Sequence, residues 1–255
     1  MVDTIPLFKS HYSVGKSILT LKDPEDMSQD GPMSIFQVCI DNDISRVVIV
    51  DDNMSGFLEA YTSAKKLGLD LIFGLRLNVN DDFEDKSADS LNKTSRYIIF
   101  PKNDAGFTRL VKIFSFAAKE GFYYTPRIDY DILSSLWEEQ ELSLVVPFYD
   151  SFIFNNVFMG KNCVPQIDFT NPRFFTEQNN LPFDSLIADK VNAYAKDKFE
   201  TQNVKSIYYN NRKDFKSYLT FRCINNRSAL DKPRLDHMCS DEFCFESWRE
   251  QNGAV

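Results

Sequence analysis

Histidine is nearly missing from this chain: His11 and His237 are the only two in 255 residues. A metal centre or proton relay built on imidazoles lacks its material. The five cysteines, Cys39, Cys163, Cys223, Cys239 and Cys244, are odd in number and scattered, with no Cys-x-x-Cys pair. Neither a disulfide framework nor a zinc site is indicated, and buried free thiols are expected. No apolar run approaches the length of a membrane span, and MVDTIPLFKSHYS lacks the basic-then-apolar order of a signal peptide. A soluble, cytoplasmic chain with no membrane partner is expected. Nothing resembles a linker or an internal repeat, so residues 1–255 read as one domain. Cations are in deficit: the net charge of -8 argues against tight nucleic-acid binding by the chain alone, because that affinity rests on Lys and Arg neutralising phosphates.

What is abundant is aromatic, with 23 Phe and 11 Tyr pointing first to a bulky core and only second to a base-stacking surface. The clearest local pattern is SRVVIVDDNMSGFLEAYTSAKKLGLDLIFGLRL, Ser45 to Leu77. Val47 to Val50 is short, apolar and β-branched, as in a strand covered on both faces. Phe57, Leu58, Tyr61, Ala64 and Lys65 then recur at helical spacing, Gly68 supplies a stop, and Leu69 to Leu77 returns as a strand. In such a β-α-β unit ligands approach the C-terminal ends of the strands, where Asp51 and Asp52 stand.

The same reading predicts a first strand at Ile5 to Phe8, a helix from Ser34 to about Asn42, and a strand at Tyr97 to Phe100. A helix capped by Asn103 or Asp104 follows, its inner face formed by Phe107, Leu110, Val111, Phe114 and Ala118, with Gly121 as its stop. A short helix is expected from about Asp129 and strands at Leu142 to Val146, Ser151 to Val157 and Val164 to Phe169. Asp184 should cap a helix with Leu186, Ile187, Val191, Tyr194 and Ala195 inward; a strand at Ser206 to Tyr209 and a helix at Asp214 to Ile224 come next. Phe243 to Trp248 is expected to pack back on the body, while Asn80 to Thr94 reads as an exposed polar loop. Strands alternating with helices imply a mostly parallel α/β fold. No Gly-rich loop follows the first strand, which disfavours a dinucleotide-binding sheet and favours a barrel.

KNDAGFTRLVKIFSFAAKEGFYYTPRIDYDIL, Lys102 to Leu133, closely resembles a stretch of the alpha subunit of bacterial DNA polymerase III. That stretch reads KN-x-x-G-[YF]-x-x-L, a helix, then EGFYY-x-PRID, and lies in the N-terminal polymerase and histidinol phosphatase (PHP) domain. DDNMSGFLEAYTSAKKLGLDLIFGLRL is similar to the family's TDH-G-N…G…FY-x-x-A-x-x-x-G-[IL]-x-x-I-x-G-x-E-x, and SIYYNNRKDFKSYLTFRCINNRSALDKP to N-D-x-H-Y…D…L-x-CI-x-x-x-x-x-x-D-x-P. The resemblance runs over nearly the whole chain, strongest from Ser45 to Leu133 and weakest from Phe148 to Leu181.

The resemblance implies a distorted (β/α)7 barrel of PHP type. In active members His, Asp and Glu at the strand ends hold up to three divalent metals that activate water for phosphoester hydrolysis. By that correspondence the opening His-x-His falls on Leu7 and Lys9, the Asp-His on Asp51 and Asp52, the Glu on Arg76 and the next His on Arg96. The following Cys or His falls near Phe148, and the late Asp-x-His on Ser206 and Tyr208. Only Asp51 is a clear retention, so no metal cofactor is expected, and the positions form a vestigial pocket. Lys9, Arg76 and Arg96 would supply from the protein the positive charge that metals supply elsewhere, with Asp51 ion-paired to at least one of them.

The function implied is a stand-alone, non-catalytic PHP-like domain in DNA replication that binds a replisome protein, the proofreading exonuclease subunit or a DNA polymerase. A separately encoded copy of this kind would suit a virus of bacteria. The alternative is a metal-dependent phosphoesterase or 3′-5′ exonuclease using Mn or Zn, with Asp51 and Asp52 as its fallback catalytic residues. A third reading gives Lys9, Arg76 and Arg96 an anion such as phosphate. His11 reads as a loop histidine, His237 with Cys239 and Cys244 fits no usual zinc spacing, and Arg212, Lys213 and Lys216 read as a solvated helix face.

Overall fold

The computed structural model describes residues 4–28, 31–230 and 238–253. In chain order the elements begin with β1 (Ile5–Phe8), α1 (Ile35–Asp41), β2 (Arg46–Asp51), α2 (Phe57–Leu67), β3 (Asp70–Asn80) and β4 (Ser95–Pro101). They continue with α3 (Asp104–Lys119), β5 (Arg127–Asp129), α4 (Tyr130–Ser135), β6 (Leu142–Val146) and α5 (Phe152–Phe158). Last come β7 (Arg173–Thr176), α6 (Asp184–Ala195), β8 (Thr201–Ile207), α7 (Phe215–Asn225) and α8 (Phe245–Gln251). This is the α/β fold expected, with the strand and helix succession of a PHP-type (β/α)7 barrel. The three-residue β5 is an addition, paired in parallel beside the end of β3. Among the described residues no helix is long and apolar enough to cross a membrane.

The chain forms two compact units. The first comprises Met1–Phe73, Glu177–Pro182 and Asn203–Val255. In it β1 pairs in parallel with β2 on one side, Leu7 opposite Val48, and with β8 on the other, Leu7 opposite Ser206. The core gathers Phe8, Phe36, Ile49, Ala60, Phe73 and Ile207. Helix α8 returns to it as expected: Phe245 stacks on Phe8 with ring centroids 6.0 Å apart, and Trp248 Nε1 donates to the Thr4 carbonyl at 2.7 Å. Ser34 starts α1 by accepting from the Phe36 N–H. Gly68 ends α2 in the left-handed region at φ 70, a conformation glycine adopts without steric cost. The inward face of α2 is narrower than the spacing of large residues suggests. Ala60, Ser63 and Ala64 are buried, whereas Leu58 is 72% and Tyr61 48% exposed.

The second unit comprises Gly74–Thr176 and Phe183–Gln202. Its strands run in the order β7, β6, β4, β3, β5, with β4 antiparallel to both β3 and β6. Asn103 caps α3 by accepting from the Gly106 N–H. The buried residues of α3 are Gly106, Leu110, Ile113 and Ala117, one step out of phase with the predicted face, of which Val111 and Ala118 are exposed. A Cβ on Gly106 would collide with the Glu141 carbonyl, so bulk was the wrong guide to which face packs. In α6, Ile187, Val191 and Ala195 are buried as predicted, but Leu186 and Tyr194 are largely exposed.

The predicted strand at Ser151 to Val157 is corrected to helix α5: Ser151 accepts from the Phe154 N–H, an N-cap that outweighs the β-forming content of the segment. Val164 to Phe169 contains no strand; β7 lies further on, at Arg173–Thr176. The polar loop after β3 is tied down by the fully buried Arg127, which donates to Ser90 Oγ at 2.9 Å and to the Phe83 and Asp85 carbonyls at 3.0 and 2.6 Å.

Candidate functional site

In the first unit, β1 and β2 lie side by side and both end where the predicted residues stand. Leu7 and Lys9 are buried at the end of β1, and Asp51, with no exposed surface, is the last residue of β2. The first turn of the loop after β1 folds over Asp51. Oδ1 accepts from the Ser10 N–H at 2.9 Å and from Ser13 Oγ at 2.8 Å, and Oδ2 accepts from Ser10 Oγ at 2.5 Å. The ion pair expected on Asp51 falls instead on its neighbour: Lys9 Nζ lies 2.9 Å from Asp52 Oδ1, and Lys16 Nζ 2.7 Å from Asp52 Oδ2. The reason is local. Three short-range donors already surround the Asp51 carboxylate, whereas Asp52, one residue past the strand, is partly exposed at 22% and open to two long cationic side chains.

Ser206 and Tyr208, at the end of β8, carry no ionisable carboxylate or imidazole, but a carboxylate reaches Ser206 from elsewhere. Glu177 is buried and accepts from the Ser206 N–H at 3.0 Å and from Ser206 Oγ at 2.9 Å. Tyr208 stacks between Tyr218 and Phe243, with centroids 5.8 and 5.2 Å away.

In the second unit, Arg76 of β3 is buried; its Nη2 donates to the Tyr149 carbonyl at 2.8 Å and to Asp150 Oδ2 at 3.1 Å. Arg96 of β4 donates from Nε to Asn78 Oδ1 at 3.1 Å and has Nη1 3.8 Å from the same Asp150 oxygen. Asp150 holds a left-handed backbone at φ 62, and its carbonyl accepts from the Arg96 N–H and from Asn155 Nδ2. Phe148 is fully buried and packs edge-on against Tyr149 at 4.9 Å.

Of the expected positions, Lys9, Asp51, Asp52, Phe148, Ser206 and Tyr208 lie at or close to the C-terminal end of a strand and Leu7 just before one, whereas Arg76 lies within β3 and Arg96 near the start of β4. Asp51 is held by two serines, Lys9 pairs with Asp52, and the two arginines share Asp150. Sequence reasoning missed Ser10, Ser13, Lys16, Asp150 and Glu177, which carry no motif. The one signal available was the PFYD sequence directly after the β6 strand, which puts Asp150 two residues from the predicted Phe148. Among the described residues no three His, Cys, Asp or Glu side chains come together as a metal-holding group. His11 is a loop residue, half-buried, with its ring 4.4 Å from that of Tyr12. His237 lies outside the described residues. The basic run is not a plain solvated face: Arg212 is bound to Glu250 at 2.8 Å and to Glu242 at 3.1 Å, tying the start of α7 to α8.

An α/β fold that sets Lys9, Asp51 and Asp52 at the C-terminal ends of the adjacent parallel strands β1 and β2 belongs to the barrel-type class whose active members act there. The PHP domain model matches residues 25–154, just over half of the chain, and the chain belongs to that family. The match includes Asp51, Asp52, Arg76, Arg96 and Phe148. Among curated proteins the chain is similar to DNA polymerase III subunit alpha of Borreliella burgdorferi, 36% identical over 98 residues, covering 37% of this chain and 8% of that protein. It is similar to the Helicobacter pylori subunit, 36% identical over 81 residues, or 32% of this chain and 7% of that protein. The Aquifex aeolicus subunit is 36% identical over 93 residues, or 34% of this chain and 8% of that protein. The chain spans under a tenth of the length of these relatives in each match.

Proposed function

We propose that this PHP domain, related to that of DNA polymerase III subunit alpha, acts in DNA replication as a protein-binding module and not as a hydrolase. Its partner is a replisome protein, the proofreading exonuclease subunit or a DNA polymerase. The observation that carries the reading is how the two strand-end carboxylates are used. Asp51 is filled by donors from Ser10 and Ser13, and Asp52 faces two ammonium groups within 2.9 Å. A divalent cation needs carboxylate lone pairs facing an open position, and a neighbouring ammonium repels it. The donor set in the first unit therefore does not fit the metals of active family members.

What remains is a scaffold of rigid strand ends held by hydrogen bonds and ion pairs, suited to presenting a surface. The test is made on the full chain, measuring its association with a polymerase III proofreading exonuclease subunit and with an alpha subunit by biolayer interferometry. Phosphodiester hydrolysis is measured in parallel with Mn2+ or Zn2+ added. Association without hydrolysis is the expected outcome. Metal-dependent hydrolysis abolished by Asp51→Ala would instead assign the chain to the phosphoesterases or 3′-5′ exonucleases and refute the proposal.

A further inference from the structure

Helix α2 turns its large apolar side chains away from the core of the first unit. Ala60, Ser63 and Ala64 face inward, while Leu58 is 72% and Tyr61 48% exposed. Three residues apart, the two are neighbours on one face, with Thr62 and Lys65, both exposed, on the same side. Phe57, partly buried at the edge of the core, stacks on Tyr61 with ring centroids 5.9 Å apart and extends the stripe. A lone exposed leucine is ordinary, but a contiguous apolar stripe along the solvent face of a helix is what a protein contact is built on.

The charges along the helix decide what fits the stripe. Its first half, Phe57 to Tyr61, has Glu59 and no cation; its second half, Thr62 to Leu67, has Lys65 and Lys66 and no carboxylate. Lys66 is taken up by Asp23 at 2.9 Å and Glu25 at 2.7 Å. Lys65 has no ion pair among the described residues and lies over the Tyr61 ring at 5.8 Å, while Glu59 is held there by the Tyr12 hydroxyl at 2.7 Å and by no cation. Across the adjoining cavity, of about 360 Å3, Asp26 adds a carboxylate and Lys22 a cation, which offset each other. An acid early and bases late also suit the helix dipole, but the dipole gives no reason for an exposed leucine and tyrosine beside them. A face that is apolar along its middle, anionic toward one end and cationic toward the other is complementary to itself turned end over end. With two helices antiparallel about a two-fold axis at Thr62, midway between Glu59 and Lys65, each Glu59 comes within reach of the long Lys65 side chain of the other copy. The same arrangement closes Leu58 and Tyr61 of both copies over one another.

We propose that the chain forms a two-fold dimer through α2, with a second copy of itself covering the stripe of Leu58 and Tyr61. A helix of eleven residues is about 16 Å long, so the contact falls below the standard interface size and the dimer is weak, populated at high concentration. It uses none of the strand-end residues and is independent of whether the chain docks on a replisome protein.

The experiment is sedimentation equilibrium of the full chain from roughly 5 μM to 0.5 mM, over which the weight-average mass is expected to rise from monomer toward dimer. Leu58→Ser, tolerated because the side chain is mostly exposed, should leave Tm unchanged and abolish the rise. Glu59→Lys or Lys65→Glu alone sets like charges against each other and should weaken the dimer roughly tenfold, two symmetry-related pairs being lost, whereas both changes together should restore it. In a Cys239→Ser background Thr62→Cys should form an intermolecular disulfide, and Ser115→Cys, on the exposed face of α3, should not. A monomer throughout the range, or a dimer that Leu58→Ser and the single charge reversals leave intact, overturns the inference. So does loss of exonuclease- or alpha-subunit binding on Leu58→Ser in a chain that is monomeric throughout, which assigns the stripe to that partner instead.

Discussion

Replacing Asp51 separates a structural carboxylate from a metal ligand. The side chain is fully buried, and so are Ser10 and Ser13, its partners. Asp51→Ala removes the acceptor of three donors at once: the Ser10 N–H, Ser10 Oγ and Ser13 Oγ. Each buried donor left unpaired costs about 1–3 kcal/mol. The two hydroxyls recover part of that by rotating, whereas the backbone N–H cannot, and removing a buried charge returns its desolvation penalty. The balance is a loss of about 3 kcal/mol. Asp51→Asn keeps an oxygen for the Ser10 N–H and Ser13 hydroxyl and offers an amide N–H to Ser10 Oγ, so its loss is about 1 kcal/mol, three charge-assisted bonds becoming neutral ones.

At about 2–4 °C per kcal/mol for a chain of this size, Tm falls by roughly 6–12 °C for Asp51→Ala and roughly 2–4 °C for Asp51→Asn. Urea and thermal unfolding are to be run in EDTA and again with Mn2+. The same two losses are expected in both buffers. If both variants lie within about 0.5 kcal/mol of wild type in EDTA and separate from it only with Mn2+, the carboxylate is a metal ligand and its structural role is refuted.

Three further outcomes follow from the geometry. Lys205, with 1% of its side chain exposed, has its pKa lowered from the usual lysine value by burial, against an opposing pull from Glu242. Between the lowered folded pKa and the ordinary value the unfolded chain binds the extra proton, so stability contributed by this group rises with pH across that window; Lys205→Met should therefore gain most over wild type at neutral pH and lose its advantage toward alkaline pH in urea unfolding. A gain that grows with pH would contradict this. Gly121→Ala places a Cβ against the Arg127 carbonyl and should cost about 3 kcal/mol, whereas Gly68→Ala, with open space around it at φ 70, should cost about 1 kcal/mol by thermal melts. Ellman's reagent at mildly alkaline pH should titrate one thiol fast, the exposed Cys239, because Cys39 and Cys244 are buried and desolvation pushes their thiols up to about 12 and about 11. Cys239→Ser should abolish the fast phase.

How much of the fold could be read beforehand depended on whether local signals agreed. Around β2 and α2 they did: an apolar β-branched run, a helical repeat and a glycine stop all gave one answer, and the element bounds were legible to within a residue or two. In SFIFNNVF they conflicted. Phe and Ile favour a strand, the length permits either state, and the decision rests on the Ser151 hydroxyl reaching the Phe154 N–H. Helix faces were misjudged for a different reason. In α2 and α3 close packing selects Ala60, Ala64, Gly106 and Ala117, whose small size carries the helix near its neighbours, while a pattern of large residues points to Tyr61 and Val111, which face solvent.

The site was legible only where the resemblance supplied positions, and even there the pairing depended on residues that no motif marks. Serine at 10 and at 13 says little by itself. The hydroxyls matter because β1 and β2 are parallel neighbours with Leu7 opposite Val48, which brings the loop after β1 over the last residue of β2. That geometry gives Asp51 a use that requires no hydrolysis. A buried carboxylate at a strand end must be satisfied by cations or by donors, and here Ser10 and Ser13 supply the donors while closing the loop that carries Lys9 and Lys16 to Asp52. Keeping Asp51 is then explained by the folding of the loop alone: without it the two lysines lose the turn that holds them against Asp52, and the first unit loses the end of its sheet.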